Sequence, residues 1–184
     1  MSLIERALAA ARLRPSASRP EQYQLERRNV RNNYVDGPMA FIGGQIVKMM
    51  QAKGWPCKIH CLYRSPAEQN AAFHRGVSKA KAFQSPHQYS LAVDIIHSSL
   101  GWNVPERFWA DLSAAVVVVS QRYDIALNHG HFWKFRDSAH VELRDWRKWR
   151  RAWGDKSPDV DQLAKCFEDL LPDVWANRPM RYGG

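Results

Sequence analysis

Two histidines and an aspartate in this chain fall in short apolar stretches, where a strongly polar side chain needs a physical reason to be. His87 and Asp94 stand seven positions apart in SPHQYSLAVDII, with Asp94 inside the run from Leu91 to Ile96. A short apolar run rich in β-branched residues reads as a buried strand. A carboxylate there is costly unless a cation or several donors meet it. A second strand-like stretch, HVEL from His140 to Leu143, brings another imidazole, preceded by Asp137 in the pattern D-x-x-H. Two imidazoles and one carboxylate, each carried by a short segment, make the donor set of an open zinc site that leaves a coordination position free. Glu142 shares the strand face of His140 and competes with Asp137 for the role of the acid. Its other possible role is to steady a ligand imidazole through the second ring nitrogen.

Positioning such residues requires a scaffold, and the local signals supply one. Ser2 and Glu5 make a capping box ahead of a helical stripe that Pro15 stops, and residues 15–22 read as a loop. Tyr23 to Tyr34 is ambiguous, with a short basic helix as one reading. Pro38 then opens a helix with Met39, Ile42, Ile46, Met49 and Met50 on one face, ended by Gly54. CKIHCLY (Cys57 to Tyr63) alternates as a strand and runs into Arg64, and Ser65-Pro66-Ala67-Glu68 starts the next helix with a cap, a proline and a capping box. Arg64 is thus pinned between a strand end and a helix N-terminus, the kind of place that faces a cleft.

Beyond the Asp94 strand, Pro105 begins a helix carrying Phe108, Trp109, Leu112, Val116 and Val119, and Tyr123 to Leu127 reads as a strand. Trp146, Trp149 and Trp153 lie on one face of a helix whose other faces carry Arg144, Arg147, Lys148, Arg150 and Arg151. Core packing is the favoured reading of that stripe, and an interfacial face on anionic lipid or cell-wall polymer is its rival. A last helix opens at Ser157-Pro158 and runs to Pro172. The order of elements predicts an α+β fold with a small, mostly antiparallel sheet flanked by helices.

At 184 residues the chain is expected to be one domain: a core over 38–143, an N-terminal extension over 1–37 and a basic helical extension over 144–184. Lysine and arginine number 27 against 18 acidic residues, so the partners favoured are anionic: cell-wall polymer, an anionic membrane surface or nucleic acid. Nothing but that charge supports nucleic acid, which is the least favoured. No segment reaches membrane-span length, and Glu5, Arg6 and Arg12 interrupt any secretory apolar region, so cytoplasmic synthesis is expected. Cys57, Cys61 and Cys166 form no disulfide framework and read as buried thiols. His97, His129 and His131 read as loop or pocket residues rather than ligands.

YRSPAEQ (Tyr63 to Gln69), SPHQYSLAVD (Ser85 to Asp94) and DSAHVEL (Asp137 to Leu143) together resemble the zinc D-Ala-D-Ala carboxypeptidase and L-Ala-D-Glu endopeptidase family, which includes many phage endolysins and has the hedgehog/DD-peptidase fold. The resemblance covers roughly residues 38–143 and rests on three motifs in the right order. It implies Zn²⁺ held by His87, Asp94 and His140, with Asp137 as the acid that activates water and Arg64 facing the developing oxyanion. Ser85, Gln69, Glu142 and Trp133 would then touch the substrate or hold the residues that do. The glycine of the family pattern is Ser90 here, which implies a locally rebuilt backbone, and the loop from Asn128 to Trp133 departs from the family's pocket segment. The resemblance implies a monomeric peptidoglycan hydrolase that cuts stem peptides, most closely an L-Ala-D-Glu endopeptidase, acting on the wall after release or from a virion. A D-Ala-D-Ala carboxypeptidase is the alternative within the family, and a non-catalytic wall-binding or virion structural protein is the alternative outside it.

Overall fold

The computed structural model describes residues 37–177. The expected N-terminal helix, and the ambiguous segment from Tyr23 to Tyr34, lie outside the described residues. Helix α1 (Pro38–Ala52) starts with proline at its first position and buries Met39, Ile42, Ile46 and Met50. Gly43 on the same helix lets it lie close to the sheet, since a Cβ there would come within 3.1 Å of Ile59 Cδ1 and 3.2 Å of Val93 Cγ1. Strand β1 (Cys57–Cys61) follows, then α2 (Pro66–His74), whose Ser65/Glu68 capping box is fully formed. A 3₁₀ turn (Pro86–Tyr89) delivers the chain into β2 (Ala92–His97). Helix α3 (Glu106–Arg122) absorbs the valine run: Val116 and Val119 point inward, while Val117 and Val118 are exposed.

The strand expected over Tyr123 to Leu127 lies further along. Tyr123 caps α3, Asp124 takes a left-handed backbone (φ 48°), and β3 spans Leu127–His129. The physical cause is a tight reversal after α3: Ile125 N donates to the Ser120 carbonyl, and Ser120 Oγ donates to the Ile125 carbonyl. A second 3₁₀ turn (Gly130–Phe132) and a loop lead to β4 (His140–Leu143). Helices α4 (Trp146–Trp153), α5 (Val160–Leu170) and the short α6 (Pro172–Ala176) complete the described chain.

The four strands form one antiparallel sheet in the order β1-β2-β4-β3. One face meets α1 and α3, with Ile59, Val93, Ile95 and Val141 in the core between them. The other face carries Asp94, His140 and Glu142 toward a cleft. The C-terminal helices join the same core instead of standing apart. Trp146 and Trp153 are buried beside Tyr89, Trp149 packs on Trp153 at 5.3 Å between ring centroids, and Leu163 and Phe167 reach toward α1. The tryptophan stripe therefore packs on the core, with Trp149 half-buried, and the arginine and lysine faces of α4 are turned to solvent.

Candidate metal centre

Antiparallel register brings the site together. Asp94 on β2 stands directly opposite His140 on β4, and paired residues share a face of the sheet. His87 arrives from the 3₁₀ turn, which Ser85 caps through the His87 amide at 3.4 Å. The turn closes at Ser90, which itself adopts the left-handed conformation (φ 54°, ψ 30°) that ordinarily favours glycine. The backbone has not been rebuilt around the serine. It absorbs a modest strain in place.

His87 Nε2, Asp94 Oδ1 and His140 Nδ1 stand 3.2 Å from one another on all three sides. The far nitrogen of each ring is engaged elsewhere: His87 Nδ1 with the Leu62 carbonyl at 3.1 Å and His140 Nε2 with Glu142 Oε2 at 3.2 Å. A carbonyl and a carboxylate can only accept, so each imidazole spends its proton there and turns a lone pair inward. Three acceptors then face one another with no donor between them, an arrangement that calls for a cation. A triangle of that edge is the face of a regular tetrahedron whose centre lies about 2.0 Å from each corner, which is the length of a zinc–nitrogen or zinc–oxygen bond. The donor set and its spacing fit a metal ion.

The electrostatics agree. Burial alone would depress His87, yet Asp94 and Cys61 beside it hold its pKa up at about 10. Burial likewise opposes charge on His140 and Asp94. Nonetheless, hydrogen bonds to Asp94 and Glu142 raise His140, and the two imidazoles hold Asp94 well below the usual carboxylate range. All three residues are buried.

Arg64 leaves the end of β1 and is fixed on two sides: Nη2 lies 3.6 Å from Asp94 Oδ2, and Nη1 donates to Gln69 Oε1 at 3.1 Å. Gln69 is fully buried, and its amide nitrogen also donates to Ser78 Oγ and the Ala80 carbonyl. It therefore orients Arg64 and ties down the 78–80 loop, out of reach of a substrate. Glu142 is likewise buried; Oε2 meets His140 and Oε1 accepts from Asn128 Nδ2. Asp137 lines the same cleft, and no side chain among the described residues hydrogen-bonds its carboxylate. The residue as a whole is exposed, but the cleft walls desolvate its carboxyl, and with the charge of Asp94 they raise its pKa against the pull of His140, His87 and Arg64. Trp133 stands half open at the rim, its ring 5.2 Å from that of His140.

The cleft has a volume of about 1320 Å³ and is bordered by Arg75, Lys79 and Arg147 as well as Arg64. His97, His129 and His131 do not line it. His97 Nδ1 accepts two turn amides, while His129 is held between Ser113 and the Ser138 carbonyl. His60 does line the cleft, edge-on to the exposed Trp102, and the sequence carried no signal for it. Gly130, which the sequence marked only as part of the altered pocket segment, meets Asp137 directly: a Cβ there would sit 2.5 Å from the Asp137 carbonyl oxygen. Cys61, which the sequence marked only as a buried thiol, also reaches the site: its sulfur and one ligand atom each of His87 and Asp94 all lie within 4.8 Å of one another.

A small antiparallel sheet with helices on one face and the triangle of His87, Asp94 and His140 on the other makes an α+β, hedgehog/DD-peptidase-like fold. No family model matches the sequence. Among solved structures, the chain is similar to the L-Ala D-Glu endopeptidase ChiX of Serratia marcescens, with 21% identity and a TM-score of 0.50, over 70% of this chain and 89% of that one. At that identity the likeness shows a shared fold.

Proposed function

We propose that this chain is a zinc-dependent peptidase that hydrolyses peptidoglycan stem peptides, cutting between L-Ala and D-Glu. The observation that carries the reading is the triangle of inward lone pairs on His87, Asp94 and His140, each ring locked from behind. The fold shared with a protein described as an L-Ala D-Glu endopeptidase supports the substrate class. Zinc held by these three residues would supply Lewis acidity toward a scissile carbonyl and a water acidified to near neutrality.

The chain's own groups do the rest. Asp137 takes a proton at its carboxylate and returns it to the leaving amine, and its raised pKa suits a group that must give the proton back. Arg64, held by Gln69 and Asp94, presents a fixed guanidinium where negative charge develops. Glu142 and the Leu62 carbonyl keep the imidazoles in the binding tautomer. Arg75, Lys79 and Arg147 at the cleft border match a stem peptide rich in carboxylates. The exposed basic faces of α4 extend this charge outward, and in this reading they meet anionic wall polymer or membrane. The protein acts as a monomer, after release to the wall or from a virion.

Mass spectrometry of purified peptidoglycan incubated with the protein tests the proposal. Fragments ending in a free D-Glu amine, lost on chelation and restored by zinc, are expected. Loss of a terminal D-Ala instead would assign the carboxypeptidase activity, and wall binding without any cleavage would refute the enzyme.

A further inference from the structure

A β-bulge decides which way Cys61 points. Between Ile59 and Cys61 the β1–β2 register slips, so that Cys61 stands opposite Asp94. Asp94 in turn stands opposite His140. Cys61, Asp94 and His140 therefore form one row across three strands, on the cleft face. Strict alternation along CKIHC would have sent Cys61 the way of Ile59, whose side chain meets α1 near Gly43. Bulges re-aim single side chains in this manner and are over-represented beside active sites.

The thiol so placed is 4% exposed, and its sulfur lies within 4.8 Å of ligand atoms of His87 and Asp94, which are themselves 2% and 8% exposed; His140 is outside that group, so the sulfur stands at the His87–Asp94 edge of the triangle. Its own hydrogen bond, donated to the Tyr63 carbonyl at 3.5 Å, is of the weak S–H kind. Arg64 Nη2 stands 3.9 Å from the sulfur and puts positive charge beside it. Structural zinc sites are closed by a fourth protein ligand, commonly a thiolate, whereas catalytic ones keep that position open.

We propose that Cys61 is a fourth metal ligand held in reserve, closing the His87–Asp94–His140 site when no substrate is present. The proposal rests on the three-residue metal site put forward above. In coordination the S–H bond breaks, its proton leaves to solvent and the sulfur lone pair forms the bond to the metal, with no change of oxidation state. Asp94 and Cys61 then balance the charge of a dication held by two neutral imidazoles. A thiolate also selects zinc, cobalt and cadmium over magnesium and calcium, which the hard carboxylate by itself does not. The resting centre is closed, and it admits substrate only by letting the sulfur go.

Cobalt(II) is the probe, because a thiolate ligand gives it a near-ultraviolet charge-transfer band that imidazole and carboxylate ligands do not. Metal-free full-length protein, Cys57→Ser, Cys61→Ser and His87→Ala are each loaded with cobalt, and bound metal is counted by elemental analysis. About one cobalt per chain with the band is expected in the wild type and in Cys57→Ser. In Cys61→Ser the cobalt should stay bound while the band disappears, and Cys61→Ala makes the same comparison if the serine variant melts early. Wild-type protein that binds cobalt through His87 but shows no band overturns the reserve ligand and leaves the three-residue site standing. Equal cobalt in His87→Ala and the wild type overturns both.

Discussion

Gly130→Ala tests whether the 130–137 loop positions Asp137 by direct contact. The added Cβ would lie 2.5 Å from the Asp137 carbonyl oxygen and 3.2 Å from Asp137 Cβ, where ordinary contact begins at 3.4 Å. The two backbones must therefore separate by roughly 1 Å, because the atoms that clash are main-chain atoms and cannot rotate away. They are also bonded to each other, Asp137 N donating to the Gly130 carbonyl at 2.9 Å. Displacement passes to the Asp137 carboxylate, while His140 is held in β4 by its pairing with Asp94. A misplacement of about 1 Å costs on the order of 10²-fold in rate, and overpacking of this kind costs about 1–3 kcal/mol of stability. The assay is stem-peptide hydrolysis at matched zinc content, beside a urea titration. Gly44→Ala is the control: it lies within α1 with nothing near its missing Cβ, and should stabilise by about 0.5–1 kcal/mol with turnover unchanged. Wild-type turnover and stability in Gly130→Ala would refute the reasoning.

Asp137→Asn should keep zinc and lose about 10²–10⁴-fold in turnover, whereas Glu142→Gln should lose about 10–100-fold, mainly through weaker metal holding. An active Asp137→Asn beside a dead Glu142→Gln would exchange their roles. Burial pushes the His129 pKa down to about 4, so below its unfolded value near 6.5 the unfolded chain takes a proton that the folded one refuses. Metal-free protein should therefore lose roughly 3 kcal/mol between pH 6.5 and pH 4 through this residue, and His129→Gln should flatten that part of the urea-midpoint profile. Parallel profiles would show that His129 is not the group responsible. Trp146→Ala, which empties a site 1% exposed beside Tyr89, should cost about 3–5 kcal/mol in the same titration. An unchanged midpoint would return the tryptophan stripe to the surface.

Much of the scaffold was legible locally because local rules govern it. The proline start of α1, the Ser65/Glu68 capping box and the apolar spacing through α3 each depend on neighbours within a turn or two, and the structure has all three. The residue types His87, Asp94 and His140 were equally legible, since a carboxylate in an apolar strand announces a partner whatever the fold. What closes them into a triangle is not local. Register between β2 and β4 sets Asp94 against His140, and the Leu62 carbonyl and Glu142 choose which nitrogen of each ring turns inward. Strand β3 was misplaced because the reversal at Asp124 depends on Ser120 bonding across the turn, which composition does not encode. The contact of Gly130 and the direction of Cys61 were not local either. The glycine is pressed against a backbone seven residues on because the loop between β3 and β4 folds back on itself, Asp137 N donating to the Gly130 carbonyl. The cysteine is turned over by one bulge, and an alternating sequence carries no mark of where strand pairing will slip.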